Sequence, residues 1–438
     1  MSARFIAGLD IGTTKVSVVV GRSEGCEVNI VGFGASVTSG MRKGMIVDIG
    51  AASRAVRRAL DGAQKSSGIE IRSVHVGIAG SHLKCIDSYG ATGIRGRQVT
   101  QRDVDRALEA ASVVYVPLDR RVLHTMPCDY VIDGQEGIHK PIGMAGVRLE
   151  ANVRVITAAQ SAVDNLVQCC EMAGVKVEGV VYEAFASAHA VLREREIEEG
   201  VAVVDIGGGT TDVAVFKDGG LHHAAVLPVG GFQFTNDISV GLKLPYAEAE
   251  RIKMEYGFAI DGKGMTGAFE ATALDGSTVR VRRGSLGDIL LPRAEELFEV
   301  IGVGINDALV SAGGSCVVLT GGASLLVGID RVAEAKIGLP VRIGVPNGAC
   351  ITPEYRRVLQ NPSFATGVGL MLHAHDNDKD DRSDLIGIVL DGARGLADRI
   401  MGLGGLRASR GGGGGKQLPA GRHGIEDIEQ DKYLRRVF

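Results

Sequence analysis

The sequence predicts an α/β fold built from two related lobes, and two observations carry that prediction. Short apolar runs typical of buried strands alternate with stretches of helical spacing along most of the 438 residues. A strand-turn-strand unit at residues 5–21 recurs at residues 201–216, with a turn rich in glycine and threonine in each copy. Such a recurrence indicates an internal duplication, so we expect two lobes of similar topology.

The elements of the first lobe follow from the spacing of apolar residues. Predicted strands lie at 5–10, 16–21 and 71–78, and a helix lies at 49–63. Residues 84–160 differ because they are richer in charge and turns, with one clear helix at 104–113. Thr100 and Asp103 form a capping-box pattern before that helix. We therefore predict a small α+β subdomain inserted into the first lobe.

The remaining elements complete the first lobe and build the second. A helix begins at Ser161 and ends at Gly174. Further predictions are strands at 201–206, 213–216 and 316–319, helices at 235–242 and 246–256, and short strands with turns at 258–284. A long helix is predicted at 292–312, with Pro292 near its first turn, where proline is tolerated.

The composition changes near the end of the chain. Residues 375–384 are strongly charged, and residues 410–424 are rich in glycine, which predicts a flexible linker. Residues 425–438 regain apolar side chains and form a candidate tail.

Composition and charge exclude several classes of protein. The formal net charge of −4 lacks the basic excess of a nucleic-acid binder. The seven cysteines are odd in number and form no CxxC pair, which favours reduced thiols in the cytoplasm. The first residues lack the apolar stretch of a signal peptide, and no run of about 18 apolar residues could span a membrane. We therefore expect a cytoplasmic protein that binds no nucleic acid.

Two matching turns carry the chemistry. The first contains Asp10, Gly12, Thr13, Thr14 and Lys15, and the second contains Asp205, Gly207, Gly208, Gly209, Thr210, Thr211 and Asp212. Glycines let backbone N–H groups approach a phosphate, threonine hydroxyls add donors, and Lys15 neutralises phosphate charge. Asp10 and Asp205 end their strands, where they can hold water molecules around Mg²⁺. One such turn is often only a tight hairpin, but two in the same strand context predict a phosphate-binding cleft between the lobes.

Three further segments fit the same cleft. They are Gly321, Gly322 and Ala323 after a strand, Glu250 and Lys253 on one helix, and Gly230 and Gly231 before another helix. The first segment lets backbone lie against a nucleotide base or α-phosphate. The acidic and basic pair can reach a ribose together, although residues three apart also form ordinary ion pairs. The last glycine pair can approach phosphate or can form only a turn.

Two other patterns are excluded as sites. Residues 257–263 imitate a Walker A loop, but residue 264 is glycine instead of serine or threonine, so we predict a turn. The histidine pairs at 222–223 and at His373 and His375 have no carboxylate or cysteine set at ligand spacing. Surface or linker histidines are therefore favoured over a metal site.

Together these motifs resemble the actin superfamily, which includes heat-shock chaperones and sugar kinases. The two turns match its phosphate motifs, residues 182–188 and 365–369 match its connecting helices, and residues 320–324 match its adenosine motif. More closely, the chain resembles the FtsA family of bacterial cell-division actins. The segments that carry this resemblance are residues 31–34, 39–48, 76–80 and 293–298, and the similarity extends over residues 4–372.

The resemblance implies an actin-like ATPase fold, with two lobes of duplicated ribonuclease H-like topology and the small inserted subdomain. The implied units are subdomain 1A at 1–83, 161–194 and 346–375, subdomain 1C at 84–160, subdomain 2A at 195–235 and 303–345, subdomain 2B at 236–302, a helix and linker at 376–424, and a tail at 425–438.

The resemblance also implies binding of ATP and Mg²⁺, with at most slow hydrolysis, in a protein that is mainly structural. Glu183 would then position water near the γ-phosphate. The family polymerises, works with other divisome proteins, and tethers the tubulin-like protein FtsZ to the inner face of the cytoplasmic membrane at the division site. Arg293 is the first candidate for binding the FtsZ C-terminal tail, and Arg282 and Arg283 are weaker ones.

The end of the chain departs from the family pattern, in which a flexible linker precedes an amphipathic membrane-targeting helix. The candidate membrane residues here are Tyr433, Leu434, Arg435, Arg436, Val437 and Phe438. Four apolar side chains would stabilise a lipid-bound helix by roughly 6–8 kcal/mol, and ordering the tail costs at least as much. We therefore expect one tail to bind lipid weakly, with filament multivalency supplying the rest.

Two other functions stay open at this point. A pilus-assembly protein of the same superfamily is disfavoured by residues 39–48 and by the glycine-rich linker with its tail. A small-molecule kinase of the same fold needs a catalytic aspartate deep in the cleft, and the sequence offers no clear candidate.

Overall fold

The computed structural model describes residues 4–25, 27–113, 116–263, 265–347 and 350–380. The predicted glycine-rich linker and the candidate membrane residues of the tail lie outside these ranges. None of the described helices has both the length and the apolar composition needed to cross a membrane.

The first part of the chain alternates strands and helices. In chain order its elements are β1 (Arg4–Ile11), β2 (Lys15–Glu24), β3 (Glu27–Val37), β4 (Met41–Arg42), β5 (Met45–Ile46), α1 (Ile49–Ser67), β6 (Ser73–Ile78), β7 (Lys84–Gly93), α2 (Gln101–Ser112), β8 (Arg120–Ile132), β9 (Gln135–Ile138), β10 (Arg148–Ala159), α3 (Gln160–Met172), β11 (Lys176–Tyr182), α4 (Glu183–Val191) and α5 (Glu194–Glu199).

The second part continues the same alternation. Its elements are β12 (Val201–Ile206), β13 (Thr211–Lys217), β14 (Gly220–Leu227), α6 (Gly231–Leu242), α7 (Tyr246–Tyr256), β15 (Ala268–Thr272), β16 (Thr278–Arg282), α8 (Gly284–Ser311), β17 (Cys316–Thr320), α9 (Ile329–Ile337), β18 (Val341–Ile343), α10 (Pro353–Leu359) and α11 (Ala365–Asp380).

The two lobes contain sheets of the same topology. The first sheet has the strand order β3-β2-β1-β6-β11, and the second has the order β14-β13-β12-β17-β18. In each sheet three antiparallel strands are followed by two strands that run parallel to the central one. The two hairpins also correspond in register, because Asp10 pairs with Ser17 and Asp205 pairs with Asp212. The structure thus confirms the predicted α/β fold and its duplication.

The inserted subdomain is a separate sheet with its own core. Its strand order is β7-β10-β8-β9, and α2 covers one face. Val104 and Leu108 of α2 are buried against β10 residues such as Leu149. The predicted cap is present, because the Thr100 N–H group donates to the Asp103 carboxylate at 2.9 Å. The predicted α+β insert is therefore confirmed, while the boundaries of the other subdomains stay a prediction.

Helix α8 differs from its prediction, because it begins well before Pro292. Proline lacks an N–H group, so an interior position loses one hydrogen bond and usually ends or kinks a helix. Here Leu286, Leu290, Ala294 and Phe298 recur every four residues, and all four are fully buried. This continuous apolar stripe runs past the exposed Pro292 and holds both halves of the helix on one core.

The predicted surface or linker position of His373 and His375 is wrong, because both side chains are buried in α11. The His373 ring lies 6.2 Å from the rings of His75 and His124. Burial lowers the pKa of His124 to about 4 and also lowers the pKa of His373. The charged residues that follow suggested the end of the fold, yet α11 packs against the first sheet and buries both of its histidine side chains.

Helices α4 and α11 cross between the two sheets with their backbones in contact. A Cβ atom on Gly369 would lie 1.8 Å from the carbonyl oxygen of Ala186, so only glycine fits there. On the β1 side of α11, a Cβ atom on Gly8 would lie 2.5 Å from the carbonyl oxygen of Gly367. Buried apolar side chains from both sheets and both helices form one core around this crossing.

We expect Gly369→Ala to lower the free energy of unfolding by about 2–3 kcal/mol, a usual cost of overpacking a core, because the new methyl group forces α4 and α11 apart. Gly50→Ala is a matched helical control in α1, where the nearest atoms would lie 3.5 Å from the added Cβ. Alanine favours a helix over glycine by about 1 kcal/mol, so the control should keep or gain stability. Urea unfolding measures both, and equal stabilities would contradict the packing argument.

Candidate functional site

A cavity of about 340 Å³ lies between the two lobes, a volume that suits a small-molecule ligand. Most of the sequence-predicted site residues line it, namely Asp10, Gly12, Thr13, Thr14, Lys15, Glu183, Asp205, Gly207, Gly208, Thr210, Asp212, Gly231, Glu250, Lys253, Gly321, Gly322 and Ala323. The fold therefore brings residues from distant parts of the sequence to one place.

The two glycine- and threonine-rich turns have the same hairpin geometry. The N–H group of Gly12 donates to the carbonyl of Lys15 at 3.0 Å. In the second turn, the N–H group of Gly207 donates to the carbonyl of Thr210 at 2.9 Å. Each turn follows the central strand of its sheet, so the duplication presents two equivalent backbone loops to one cavity.

The two turns also touch each other across the cleft. A Cβ atom on Gly208 would lie 2.6 Å from Cγ2 of Thr14. Three predicted residues do not line the cavity but support this region. Gly209 lies against the backbone of the first lobe, the Thr211 hydroxyl donates to a neighbouring carbonyl at 2.8 Å, and Gly230 backs the second turn. The lobes are therefore in contact at these turns.

Four acidic side chains, those of Asp10, Glu183, Asp205 and Asp212, lie near Lys15 in the cleft. Burial raises the pKa of Asp10 to about 6, although the charge of Lys15 opposes this. Burial lowers the pKa of Lys15 to about 8. Burial and the neighbouring carboxylates raise the pKa of Glu183 and of Asp212 well above the usual range, and burial raises that of Asp205. Besides burial, the closeness of these acidic groups raises the pKa values of Glu183 and Asp212 and would make a bound cation beside them favourable.

A magnesium ion fits this cluster when it is bound through water. Among the residues that the structure describes, no group of three acidic, histidine or cysteine side chains converges closely enough to hold a metal directly. Oδ1 of Asp212 is buried without a hydrogen-bond partner, which leaves an acceptor for an ordered water. Mg²⁺ typically keeps several waters and few direct carboxylates. Asp10 and Asp205, at matching strand ends, are the residues that would hold those waters.

Lys15 is held by a segment that the sequence analysis did not point to. Its Nζ atom donates to the carbonyl of Ser363 and lies 3.6 Å from the centre of the Phe364 ring. An ammonium group over an aromatic face makes a favourable cation–π contact. Ser363 also lines the cavity. The first phosphate turn is thereby tied to the residues that precede α11.

Asp205 accepts two hydroxyl hydrogen bonds that the sequence analysis also missed. Its Oδ2 atom accepts from Ser187 of α4 and, at 3.1 Å, from Thr366 of α11. Both donors lie in the segments that resemble connecting helices, but no local pattern showed where their hydroxyls point. Thr366 is 161 residues from its partner in the sequence, so only the tertiary fold reveals the contact.

Glu183 is the first residue of α4 and lines the cavity. Its side chain lies against β6, because a Cβ atom on Gly77 would come within 2.8 Å of Glu183 Cγ. A larger residue at this position would push the carboxyl group out of place. Gly77 belongs to the 76–80 segment that resembles the FtsA family, so the packing gives that segment a physical role.

The far end of the cavity combines a polar pair with an apolar wall. Nζ of Lys253 lies 2.7 Å from the Glu250 carboxylate and 2.8 Å from the Thr235 hydroxyl. The apolar wall includes Met254, Phe258, Ile260, Leu325 and Leu326. Glu250 and Lys253 therefore form an ion pair and line the cavity at the same time, so the two sequence-based interpretations are compatible.

The three candidate arginines have different surroundings. Arg293 donates to Asp237 and to Glu296, so it already has carboxylate partners within the chain. Arg283 lines the cleft cavity, which Arg282 and Arg293 do not, and Arg282 is exposed at the end of β16. An acidic peptide that binds Arg293 would have to replace or share these internal partners.

Family models match two regions of the chain under FtsA-related descriptions. Residues 202–369 match the model described as cell division protein FtsA, and residues 80–157 match the SHS2 domain inserted in FtsA. A model described as type IV pilus assembly protein PilM matches residues 139–264. The match to the SHS2 model covers the inserted subdomain.

Curated relatives described as cell division protein FtsA are similar over most of the chain. The protein of Pseudomonas aeruginosa is 41% identical, over 87% of this chain and 92% of the relative. The protein of Neisseria meningitidis is 40% identical, over 85% and 90%. The protein of Escherichia coli K12 is 35% identical, over 85% and 91%.

Solved structures share the fold at low sequence identity. A PilM–PilN type IV pilus biogenesis complex is 18% identical, covering 84% of this chain and 98% of that chain with a TM-score of 0.62. MreB5 of Spiroplasma citri bound to ADP is 14% identical, covering 87% and 99% with a TM-score of 0.54. These likenesses confirm the actin-like fold, and the match to the SHS2 model confirms the inserted subdomain.

We expect Asp212→Asn to stabilise the protein in the absence of nucleotide and Mg²⁺. Because burial raises the pKa of Asp212, the folded state keeps a proton that the unfolded chain releases at lower pH. The stability that the protonated Asp212 carboxyl group contributes is therefore fully present in acid, and it is lost as the pH rises through the raised pKa. The amide cannot ionise, so the variant should lose less stability with rising pH.

Thermal unfolding with a chelator measures this effect. Above neutral pH the midpoint of Asp212→Asn should exceed that of the unchanged protein by about 2 °C, or roughly 1 kcal/mol in a large domain. Asp61→Asn is the control, because Asp61 is exposed and pairs with Arg57 at 3.2 Å on the surface of α1. A midpoint that falls with Asp212→Asn would contradict the charge argument.

Proposed function

This chain belongs to the FtsA family of cell division proteins, and from that premise we propose that it binds ATP with Mg²⁺, polymerises, and tethers FtsZ to the inner face of the cytoplasmic membrane. In this proposal it is a cytoplasmic protein that acts at the division site with other divisome proteins. Its role is mainly structural, with at most slow ATP hydrolysis. It is a peripheral membrane protein that binds no nucleic acid.

The cleft is the observation that carries this proposal. Two equivalent turns contact each other beside a cavity of about 340 Å³ that combines a lysine, buried carboxylates and an apolar wall. Phosphates need backbone N–H donors and a cation, and a purine base needs apolar surface. The MreB5 structures with ADP and with AMPPNP support a nucleotide in a cleft of this fold.

Different residues of the chain would hold the phosphates, the hydrated ion and a water near the γ-phosphate. The two turns and Lys15 would hold the phosphates, and Asp10 and Asp205 would hold the waters of the ion. Bound Mg²⁺ would supply charge neutralisation at the phosphates. Glu183 would position a water near the γ-phosphate.

Polymerisation follows from the two-lobed shape in this proposal. A nucleotide that bridges both turns fixes the relative positions of the lobes and so fixes the faces that meet neighbouring subunits. Head-to-tail contacts of that kind build open filaments. The inserted subdomain offers exposed apolar side chains for such a contact, including Tyr89, Leu118 and Val147.

The partner sites are the finer part of the proposal. Arg293 of α8 would bind the FtsZ tail by sharing or exchanging its carboxylate partners, and Arg282 lies exposed nearby in the sequence. Arg283 is a weaker candidate because it faces the cleft cavity. Residues 425–438 would bind anionic lipid. One tail binds weakly, so the filament would supply the avidity.

A pilus-assembly protein is the second candidate function. The PilM family model matches residues 139–264, and the PilM–PilN complex shares the fold. The identity of 18% to that complex is far below the 41% to the cell division relative, so we place this candidate second.

We expect Asp205→Ala to weaken binding of an ATP analogue in the presence of Mg²⁺ by more than about tenfold, because the waters of the ion lose an acceptor. Asp87→Ala is the control, since its carboxylate is 74% exposed on the inserted subdomain and pairs with Arg154. Isothermal titration calorimetry measures both affinities. Unchanged binding by Asp205→Ala would remove the cleft from the proposal.

Co-sedimentation with anionic liposomes tests the membrane tether. ATP should promote pelleting of the full chain, because filaments multiply the weak affinity of one tail. A version ending at Asp380, the last residue of α11, should bind ATP but stay in the supernatant. An FtsZ C-terminal tail peptide should join the pellet only with the full chain. A full chain that binds ATP without pelleting would contradict the tether.

A further inference from the structure

The carboxylate of Asp205 is anchored by two helices at once. Its Oδ2 atom accepts from the hydroxyls of Ser187 and Thr366, and the two hydroxyl oxygens lie 3.0 Å apart. All three residues are buried and at most 8% exposed. Ser187 belongs to α4, Thr366 to α11 and Asp205 to β12. We call these three residues the hydroxyl–carboxylate cluster.

The helix crossing is what allows this cluster to form. Ser187 follows Ala186, whose carbonyl oxygen meets Gly369 of α11. Thr366 lies about one turn before Gly369 on the same helix. The two hydroxyls can approach the same oxygen only because the helix backbones touch at this point. The cluster is therefore a consequence of close packing between the two lobes.

The start of α11 is fixed from a second direction. The carbonyl of Pro362 accepts from the N–H group of Gly321 at 3.2 Å, and it also lies 3.2 Å from the hydroxyl of Thr320, which the Gly344 carbonyl shares at 3.0 Å. Both donors lie at the end of β17, the strand beside β12. Thr366 is thus held at the carboxyl ends of β12 and β17, next to the carboxylate that it contacts, and this limits its movement away from Asp205.

The equivalent carboxylate of the first lobe has a weaker anchor. Oδ2 of Asp10 accepts from the hydroxyl of Ser17 at 3.3 Å, and Ser17 is its partner on the adjacent strand of the same sheet. The anchor of Asp205 instead comes from outside its sheet. The two strand ends are alike in topology, but the hydroxyl donor to Asp10 comes from its own sheet, whereas the two hydroxyl donors to Asp205 come from the connecting helices.

We propose that Ser187 and Thr366 are positioning residues that aim the Asp205 carboxylate at the hydrated metal ion of the bound nucleotide. This inference rests on the proposed function of the cleft. Two donors occupy Oδ2, and the other oxygen, Oδ1, lies next to Gly321, which lines the cavity. A carboxylate that is already oriented need not be ordered when the ion binds. The position of the ion would thereby depend on how α4 and α11 cross between the lobes.

Thr366→Val removes one donor while keeping the shape of the side chain, and Thr366→Ser keeps the donor. We expect the valine variant to bind an ATP analogue with Mg²⁺ about tenfold more weakly, at the low end of effects seen for groups that support metal ligands. Without Mg²⁺, in excess chelator, its affinity should equal that of the unchanged protein. The serine variant should restore the magnesium-dependent affinity.

Ser36→Ala is the matched structural control. Ser36 is buried in β3, and its hydroxyl donates to the carbonyl of Ala55 at 2.7 Å, outside the cleft. It loses a buried hydroxyl hydrogen bond, as the valine variant does, so its unfolding midpoint should fall similarly. Its affinity for the analogue should not change with or without Mg²⁺. Calorimetric titrations and thermal unfolding of all variants give the comparison.

The outcomes separate this inference from the function on which it rests. If the unchanged protein fails to bind the analogue with Mg²⁺, the proposed function fails. If it binds but Thr366→Val binds equally well, or loses affinity equally with and without Mg²⁺, the positioning role is overturned. Failure of Thr366→Ser to restore affinity would also overturn it. Should the valine variant not fold, Ser187→Ala replaces it and is read by the same criteria.

Discussion

The rest of this structure depends on the backbone contact between α4 and α11. The helices cross where Gly369 meets Ala186, and no side chain larger than hydrogen fits at the first of these positions. Because the helices lie between the two sheets, their separation sets how closely the lobes approach. Glu183 begins one of the helices and Thr366 lies in the first turn of the other, so the same contact sets where two groups of the cleft are placed.

The charges in the cleft follow from that geometry and oppose the stability of the empty protein. Asp10, Glu183, Asp205 and Asp212 are enclosed with Lys15, and burial raises the pKa of each carboxyl group. Uncompensated burial of like charges is unfavourable, and a structure tolerates it when a ligand of opposite charge supplies the balance. Binding of a cation with a nucleotide would relieve this repulsion, so ligand binding and the closure of the lobes should reinforce each other.

The inserted subdomain is connected to both lobes, although its own core is separate. It is joined to the first lobe through β7 and β10, and the middle of β8 contacts the second sheet. There the Cys128 thiol donates to the carbonyl of Leu221 at 3.4 Å, and Met126 and Leu221 share one buried cluster. A change in the position of the lobes would therefore move the insert as well, which matters if its exposed face meets another subunit.

The sequence by itself determined the α/β class, the duplication, the insert and the two turns. Each of these follows from a local pattern within a single segment. Such patterns are apolar periodicity, a capping box, or a short run of glycine and threonine. Sequence-based prediction was wrong where contacts with other segments determine whether a residue lies in a helix or is buried. Pro292 predicted the start of a helix, but a buried stripe on both sides of it keeps α8 continuous. His373 and His375 looked like linker residues until α11 enclosed them.

Only the tertiary structure decided how the cleft residues act on one another. Ser187, Thr366 and Asp205 come from three elements, and Lys15 meets Ser363 across 348 positions of sequence. Hydrogen bonds of this kind depend on distances of a few tenths of an ångström, which the crossing of two helices sets and no local pattern encodes. The sequence supplies the chemical groups, and close packing between the lobes decides which of them meet.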